Sequence, residues 1–92
     1  MFSVAITEGT YDTNTAFGKE GLKKQQGEYN SAFGYQALKS NDTGNNNTAI
    51  GNQSLQSNVS GSSNTAIGSE AGSGNTGDNI VAIGYQSLKV NT

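Results

Sequence analysis

The sequence predicts an all-β fold, a parallel β-roll (β-solenoid) of about five to six coils of 16–17 residues. Three observations carry this prediction. The first is a five-residue shape that recurs in phase: Asn14-Thr15-Ala16-Phe17-Gly18, Asn30-Ser31-Ala32-Phe33-Gly34, Asn47-Thr48-Ala49-Ile50-Gly51, Asn64-Thr65-Ala66-Ile67-Gly68 and Ile80-Val81-Ala82-Ile83-Gly84. The second is the step between copies. Counting the degenerate opening Ser3-Val4-Ala5-Ile6-Thr7, the alanines are separated by 11, 16, 17, 17 and 16 residues. The third is a leucine four residues after the glycine, at Leu22, Leu38, Leu55 and Leu88, with Gly72 at that phase in the fourth copy.

Taken in order, residues 1–13 form an atypical N-terminal coil or transition, five to six residues shorter than the rest. Terminal repeats depart from the pattern because their outer face meets water or another element. The repeat domain then spans 14–92 as coils 14–29, 30–46, 47–63, 64–79 and 80–92. The first coil is the most charged. Glu20 and Lys24 stand at helical i,i+4 spacing, so Lys19 to Gln26 is a candidate helical turn, although Gly18, Gly21 and Gly27 argue against it. The coil from Asn30 carries the fullest motif. The coil from Asn64 replaces the leucine segment with Glu70-Ala71-Gly72-Ser73-Gly74. The last copy stops at Thr92, about four residues short of a full coil, which reads as a fragment or a junction with a following domain.

The local chemistry explains why such a unit coils. In a strand, Ala49 faces one way while Thr48 and Ile50 face the other. So short a strand needs a copy stacked on it at about 4.8 Å. Stacking aligns Ala16, Ala32, Ala49, Ala66 and Ala82; Phe17, Phe33, Ile50, Ile67 and Ile83; and Leu22, Leu38, Leu55 and Leu88. Gly18, Gly34, Gly51, Gly68 and Gly84 make one corner, where positive φ or close backbone approach is needed. The Asn- and Gly-rich stretches 41–47, 58–64 and 74–79 make the other, since Asn tolerates the left-handed region and bonds its own turn. Each coil is thus expected to hold two short strands and two turns. Alternation leaves open which ladder lines the interior. Either way a second apolar ladder is left on the outside, and the chain is expected to associate with itself.

Composition narrows the function. Leu, Ile, Val and Phe supply sixteen of 92 residues, few for a folded domain. Disorder is nevertheless rejected, because the formal net charge is only −2 and those residues keep a strict period. There is no cysteine for a disulfide or thiolate site, and no histidine, the commonest general base and metal ligand. No carboxylate pair has a spacing that the repeat would hold together, so the chain is not read as an enzyme and no cofactor or metal is assigned. Five lysines without arginine make no basic patch for nucleic acid, and no apolar run reaches the length of a membrane span.

Asn-Thr-Ala-Ile-Gly-x-x-Ser/Ala-Leu, closed by an Asn/Thr/Gly turn, resembles the head repeats of YadA-like trimeric autotransporter adhesins. It is still more similar to the related repeats of bacteriophage and viral tail fibres. The resemblance covers about residues 14–92. It implies a left-handed parallel β-roll, three chains about a common axis, and a role in host-cell attachment as part of a virion tail fibre. A bacterial adhesin head at the cell surface and a non-binding spacer within a fibre are the alternatives. The adhesin coil is nearer 14 residues, so the longer step here favours the fibre branch. Implied partners are the chain itself, other fibre segments, and a host-surface glycan or protein receptor.

For receptor contact the candidates are Tyr35, Gln36, Tyr85 and Gln86, which follow the corner glycine at equivalent positions. An exposed ring can stack on a sugar while the amide meets its hydroxyls; the plainer reading is a tyrosine covering a corner. Asp42 and Asp78 sit beside Asn and Gly in comparable turns, and are read as turn formers rather than calcium ligands. Asn41, Asn46, Asn52 and Asn58 each open a glycosylation acceptor triplet, expected by chance in so Asn- and Ser-rich a chain. The column Thr15, Ser31, Thr48, Thr65 is not read as ice-binding, because a second regular column is missing and Val81 ends the first.

Overall fold

Each coil contributes three residues to a strand. In the computed structural model, which describes residues 13–22 and 27–89, these are β1 (Thr15–Phe17), β2 (Ser31–Phe33), β3 (Thr48–Ile50), β4 (Thr65–Ile67) and β5 (Val81–Ile83). They form one parallel sheet in the order β1-β2-β3-β4-β5, a β-solenoid of about four turns. The register keeps phase: Ala16 pairs with Ala32, Ala32 with Ala49, Ala49 with Ala66 and Ala66 with Ala82. Strands this short persist because each is bonded to its neighbours. Thr48 N–H donates to Asn64 O and Gly51 N–H to Phe33 O, both at 2.8 Å, and the same two bonds recur at every step. The N-terminal coil expected at 1–13 lies outside the described residues, apart from Thr13.

The alternation resolves in one direction. The alanine ladder is fully buried, and Leu22, Leu38, Leu55, Ala37 and Ala71 complete the apolar interior. Phe33, Ile50, Ile67 and Ile83 face outward. Small alanines suit a slab only 14 Å thick, with the leucines packed on them from the opposite layer. Leu88 is half exposed, with no coil stacked beyond it among the described residues.

The leucine segment differs from expectation. Among the described residues each coil has one strand, not two. After the corner glycine the chain makes overlapping turns, with Ala37 N–H donating to Gly34 O, Lys39 N–H to Gln36 O and Asn41 N–H to Leu38 O. Gln36 and Leu38 have φ of 61° and 52°, the positive value that type II turns place at their third residue. The physical reason is burial. Ala37 and Leu38 are adjacent and both fully buried, which a strand with its period of two cannot achieve. The segment still bonds to the next coil, through Leu38 N–H to Ser54 O and Ser40 N–H to Gln56 O. The same conformation removes the helical turn expected from Lys19. Glu20 and Leu22 have φ of 63° and 46°, outside any right-handed helix, and residues 23–26 lie outside the described residues.

Gly72, which breaks the leucine ladder, keeps its conformation: its φ is +64°. Its missing side chain leaves room taken by Leu55, whose Cδ2 would stand 3.1 Å from a Cβ there. The two corners use glycine for different reasons. Gly51 has φ +129°, and a Cβ on it would lie 2.5 Å from Gly68 O in the next coil. Gly44, at the other corner, has ordinary φ, but a Cβ would collide with the carbonyl oxygen of Gly61 and with Asn41 Oδ1.

The interior is also polar. Asn14, Asn30, Asn47 and Asn64 are buried one above another. Each takes the backbone N–H of the next coil on its Oδ1, as Asn30 does from Asn47 and Asn47 from Asn64, both at 3.0 Å. Each Nδ2 donates to the glycine carbonyl at the far corner of its own coil, Asn47 to Gly61 O at 2.8 Å. A second buried column, Asn41, Asn58 and Asn75, lies beside the first, with Asn47 Nδ2 donating to Asn41 Oδ1 and Asn64 Nδ2 to Asn58 Oδ1, both at 3.4 Å. Asn58 Nδ2 donates to Asn41 Oδ1 and to Gly61 O, at 2.9 and 3.0 Å. The amide carries an acceptor oxygen and an NH2 donor on one side chain, so it satisfies the backbone of both neighbouring turns.

Candidate interaction face

The outward side of the sheet carries two columns. Thr15, Ser31, Thr48, Thr65 and Val81 form one; Phe17, Phe33, Ile50, Ile67 and Ile83 form the other. Phe33, Ile50 and Ile67 are 38–40% exposed even in the middle of the stack, and Ile83 is 65% exposed. Phe17 and Phe33 stack with centroids 5.3 Å apart at 29°. The parallel register makes this a continuous apolar stripe along the roll. Contiguous exposed apolar surface of this kind marks a contact site more often than isolated residues do.

The Tyr-Gln pairs divide between surface and stack. Tyr35 and Tyr85 are 44% and 72% exposed. Gln36, read from the sequence as a surface amide, is buried: its Nε2 donates to Glu20 Oε1 at 2.7 Å, and its Oε1 accepts from Gln53 and Gln56. Gln86 is half-buried and donates to Glu70 Oε1 at 2.8 Å. The positive φ at this phase directs the amide along the stack instead of away from it. Neither glutamine is free to meet a ligand as its tyrosine is.

Those bonds belong to a column the sequence reading missed: Glu20, Gln36, Gln53, Glu70 and Gln86. Lys39 Nζ is 3.7 Å from Glu20 and Lys89 Nζ is 3.0 Å from Glu70. The signal was present, since Glu20, Gln36 and Lys39 recur 50 residues later as Glu70, Gln86 and Lys89. The bond from Gln86, then that from Lys89 with its charge, hold the Glu70 carboxyl below its ordinary value against a smaller opposing effect of burial.

Asp42 and Asp78 are not equivalent. Asp78 is exposed and its Oδ1 accepts Ser62 N–H at 2.7 Å, continuing an outer ladder in which Asn45 Oδ1 takes Glu28 N–H and Ser62 Oγ takes Asn45 N–H. Asp42 binds Val59 O through its backbone N–H, and its Oδ1 is buried with no partner among the described residues. The described residues hold no group of three or more metal-ligating side chains, enclose no pocket, and include no helix long and apolar enough to cross a membrane. Of the four acceptor asparagines, Asn41 and Asn58 are fully buried, while Asn46 and Asn52 are exposed. No protein-family model, curated protein or solved structure matches the chain.

Proposed function

We propose that this chain is a structural and attachment segment of a homotrimeric virion tail fibre, its left-handed rolls joined through the Phe/Ile stripe and its free corners turned to a host-cell receptor. The observation that carries the reading is the exposed apolar stripe on a roll whose interior is already filled by alanine, leucine and asparagine. An outward ladder of large side chains gains further free energy when another surface covers it. A further copy of the chain matches it in length and period. The repeat's resemblance to tail-fibre and adhesin heads supports the trimer and the attachment role. A bacterial adhesin head would use the same geometry, and a spacer would use the same stripe without a receptor.

Light scattering tests the assembly, with about three times the 9.5 kDa chain mass expected. Ile50→Asp should leave each roll folded but reduce the mass to that of one chain, because an unpaired charge buried at the contact costs several kcal/mol. Ser57→Asp, on an exposed position outside the stripe, should leave the mass unchanged. A folded wild-type monomer at micromolar concentration would sink the proposal.

A further inference from the structure

We infer that Tyr35, Asn52, Ser69 and Tyr85 form an elongated saddle that binds a neutral linear oligosaccharide, an inference that rests on the attachment reading above. The four residues each follow a corner glycine, and the in-phase register stacks them in one column. Backbone bonds fix the column rung by rung: Gln53 N–H donates to Tyr35 O, Glu70 N–H to Asn52 O and Gln86 N–H to Ser69 O, at 2.7–2.9 Å. Tyr35 and Tyr85 stand three coil steps apart, about 14 Å at 4.8 Å per step. Both rings are exposed, and between them lie the shorter Asn52 and Ser69, exposed and half-buried. The side chains of Asn52 and Ser69 make no hydrogen bond among the described residues. The surface is therefore a shallow trough with an aromatic ring at each end and open amide and hydroxyl groups along its floor.

That chemistry fits a carbohydrate. The C–H face of a pyranose packs on an aromatic ring, and its hydroxyls need partners that both donate and accept, which Asn and Ser supply. The span exceeds one sugar, so the ligand is an oligomer. Glu70, beside the floor, is already engaged with Gln86 and Lys89, and the exposed Lys19, at the same phase one coil before Tyr35, lies outside the two rings, so no free charge stands between them to select an acidic sugar. An extended peptide is disfavoured. It would bind by adding a strand, and the carbonyls of Tyr35, Asn52 and Ser69 along this column are already taken by the ladder.

The test uses the whole chain with maltotetraose, cellotetraose and chitotetraose, each against its monosaccharide, followed by calorimetry with light scattering alongside. At least one tetrasaccharide should bind about tenfold or more tighter than its monosaccharide. Tyr35→Ala and Tyr85→Ala should each weaken that binding about tenfold or more, with unchanged mass and melting point. Ser57→Ala, outside the saddle, should bind like wild type. Absence of tetrasaccharide binding by an intact trimer overturns the saddle and leaves the fibre reading standing. So does unaltered binding by both tyrosine variants. Loss of the trimer in either variant would assign the rings to the subunit contact and overturn the saddle. A monomeric wild type would instead strike the fibre reading, with the tyrosine variants still deciding the saddle.

Discussion

Asn47 shows what a single residue does in this roll. Its side chain accepts Asn64 N–H and donates to Gly61 O, while its own N–H is taken by Asn30 Oδ1. Asn47→Ala leaves the buried Asn64 N–H without a partner, which costs about 1–3 kcal/mol, and removes one of the two donors to Gly61 O. Asn47→Asp keeps the acceptor but loses the donor and buries a charge, so it should be worse. The neighbouring Asn46 is exposed with φ 59°, a conformation glycine adopts freely, and Asn46→Gly should stay within about 0.5 kcal/mol of wild type. Chemical denaturation of the three variants separates the outcomes. Equal stability of Asn47→Ala and Asn46→Gly would mean the buried ladder carries no weight. The two asparagines look alike in the sequence, where both read as turn formers. Periodicity located them but did not show that one of every such pair points inward, because the usual expectation that interiors are apolar pointed elsewhere.

At the scale of the element, the phase of the strand was legible and the conformation of the leucine segment was not. Thr48-Ala49-Ile50 carries its alternation openly, and Gly51 announces the corner. The inward direction became determinate only once the thickness of the slab admitted Ala and excluded Ile. Tyr35 to Asn41 misled because leucine normally avoids positive φ, at a cost of about 1–2 kcal/mol. Here the turn run recovers that cost by burying two consecutive residues. Gly51 and Gly72 therefore answer differently to substitution. Gly51→Ala combines a φ of +129° with a contact of 2.5 Å to backbone that cannot shift without parting β3 from β4. It should destabilise by more than about 3 kcal/mol. Gly72→Ala takes a φ close to that of Leu38 and Leu55 and meets only the end of a leucine side chain. It should cost about 1 kcal/mol. Thermal melts that rank the two in the opposite order would show that the corner is softer than its geometry indicates.

At the scale of the whole molecule, the roll is a stack whose coils are held to their neighbours alone, so its stability can be altered locally at one step. The step between the coils starting at Asn64 and Ile80 is held by the β4–β5 ladder and by the Glu70, Gln86 and Lys89 cluster. Glu70 has its folded value lowered, chiefly by the bond from Gln86 and then by Lys89. A group lowered on folding adds stability that is fully present above its unfolded value and is lost as pH falls through its folded value. The loss therefore falls on the acid side of the ordinary glutamate range, and neutral pH leaves the clamp intact. Glu70→Gln separates charge from shape. Glutamine occupies the same phase at Gln36, Gln53 and Gln86, so the variant should stack normally and still accept from Gln86 while losing the ion pair with Lys89. Melting temperatures from neutral to acid pH should fall less steeply for Glu70→Gln than for wild type, and the two curves should converge once Glu70 is protonated. If the two curves ran parallel throughout, the acid sensitivity would belong to the other carboxylates, and the last coil would be held by its backbone ladder without help from the cluster.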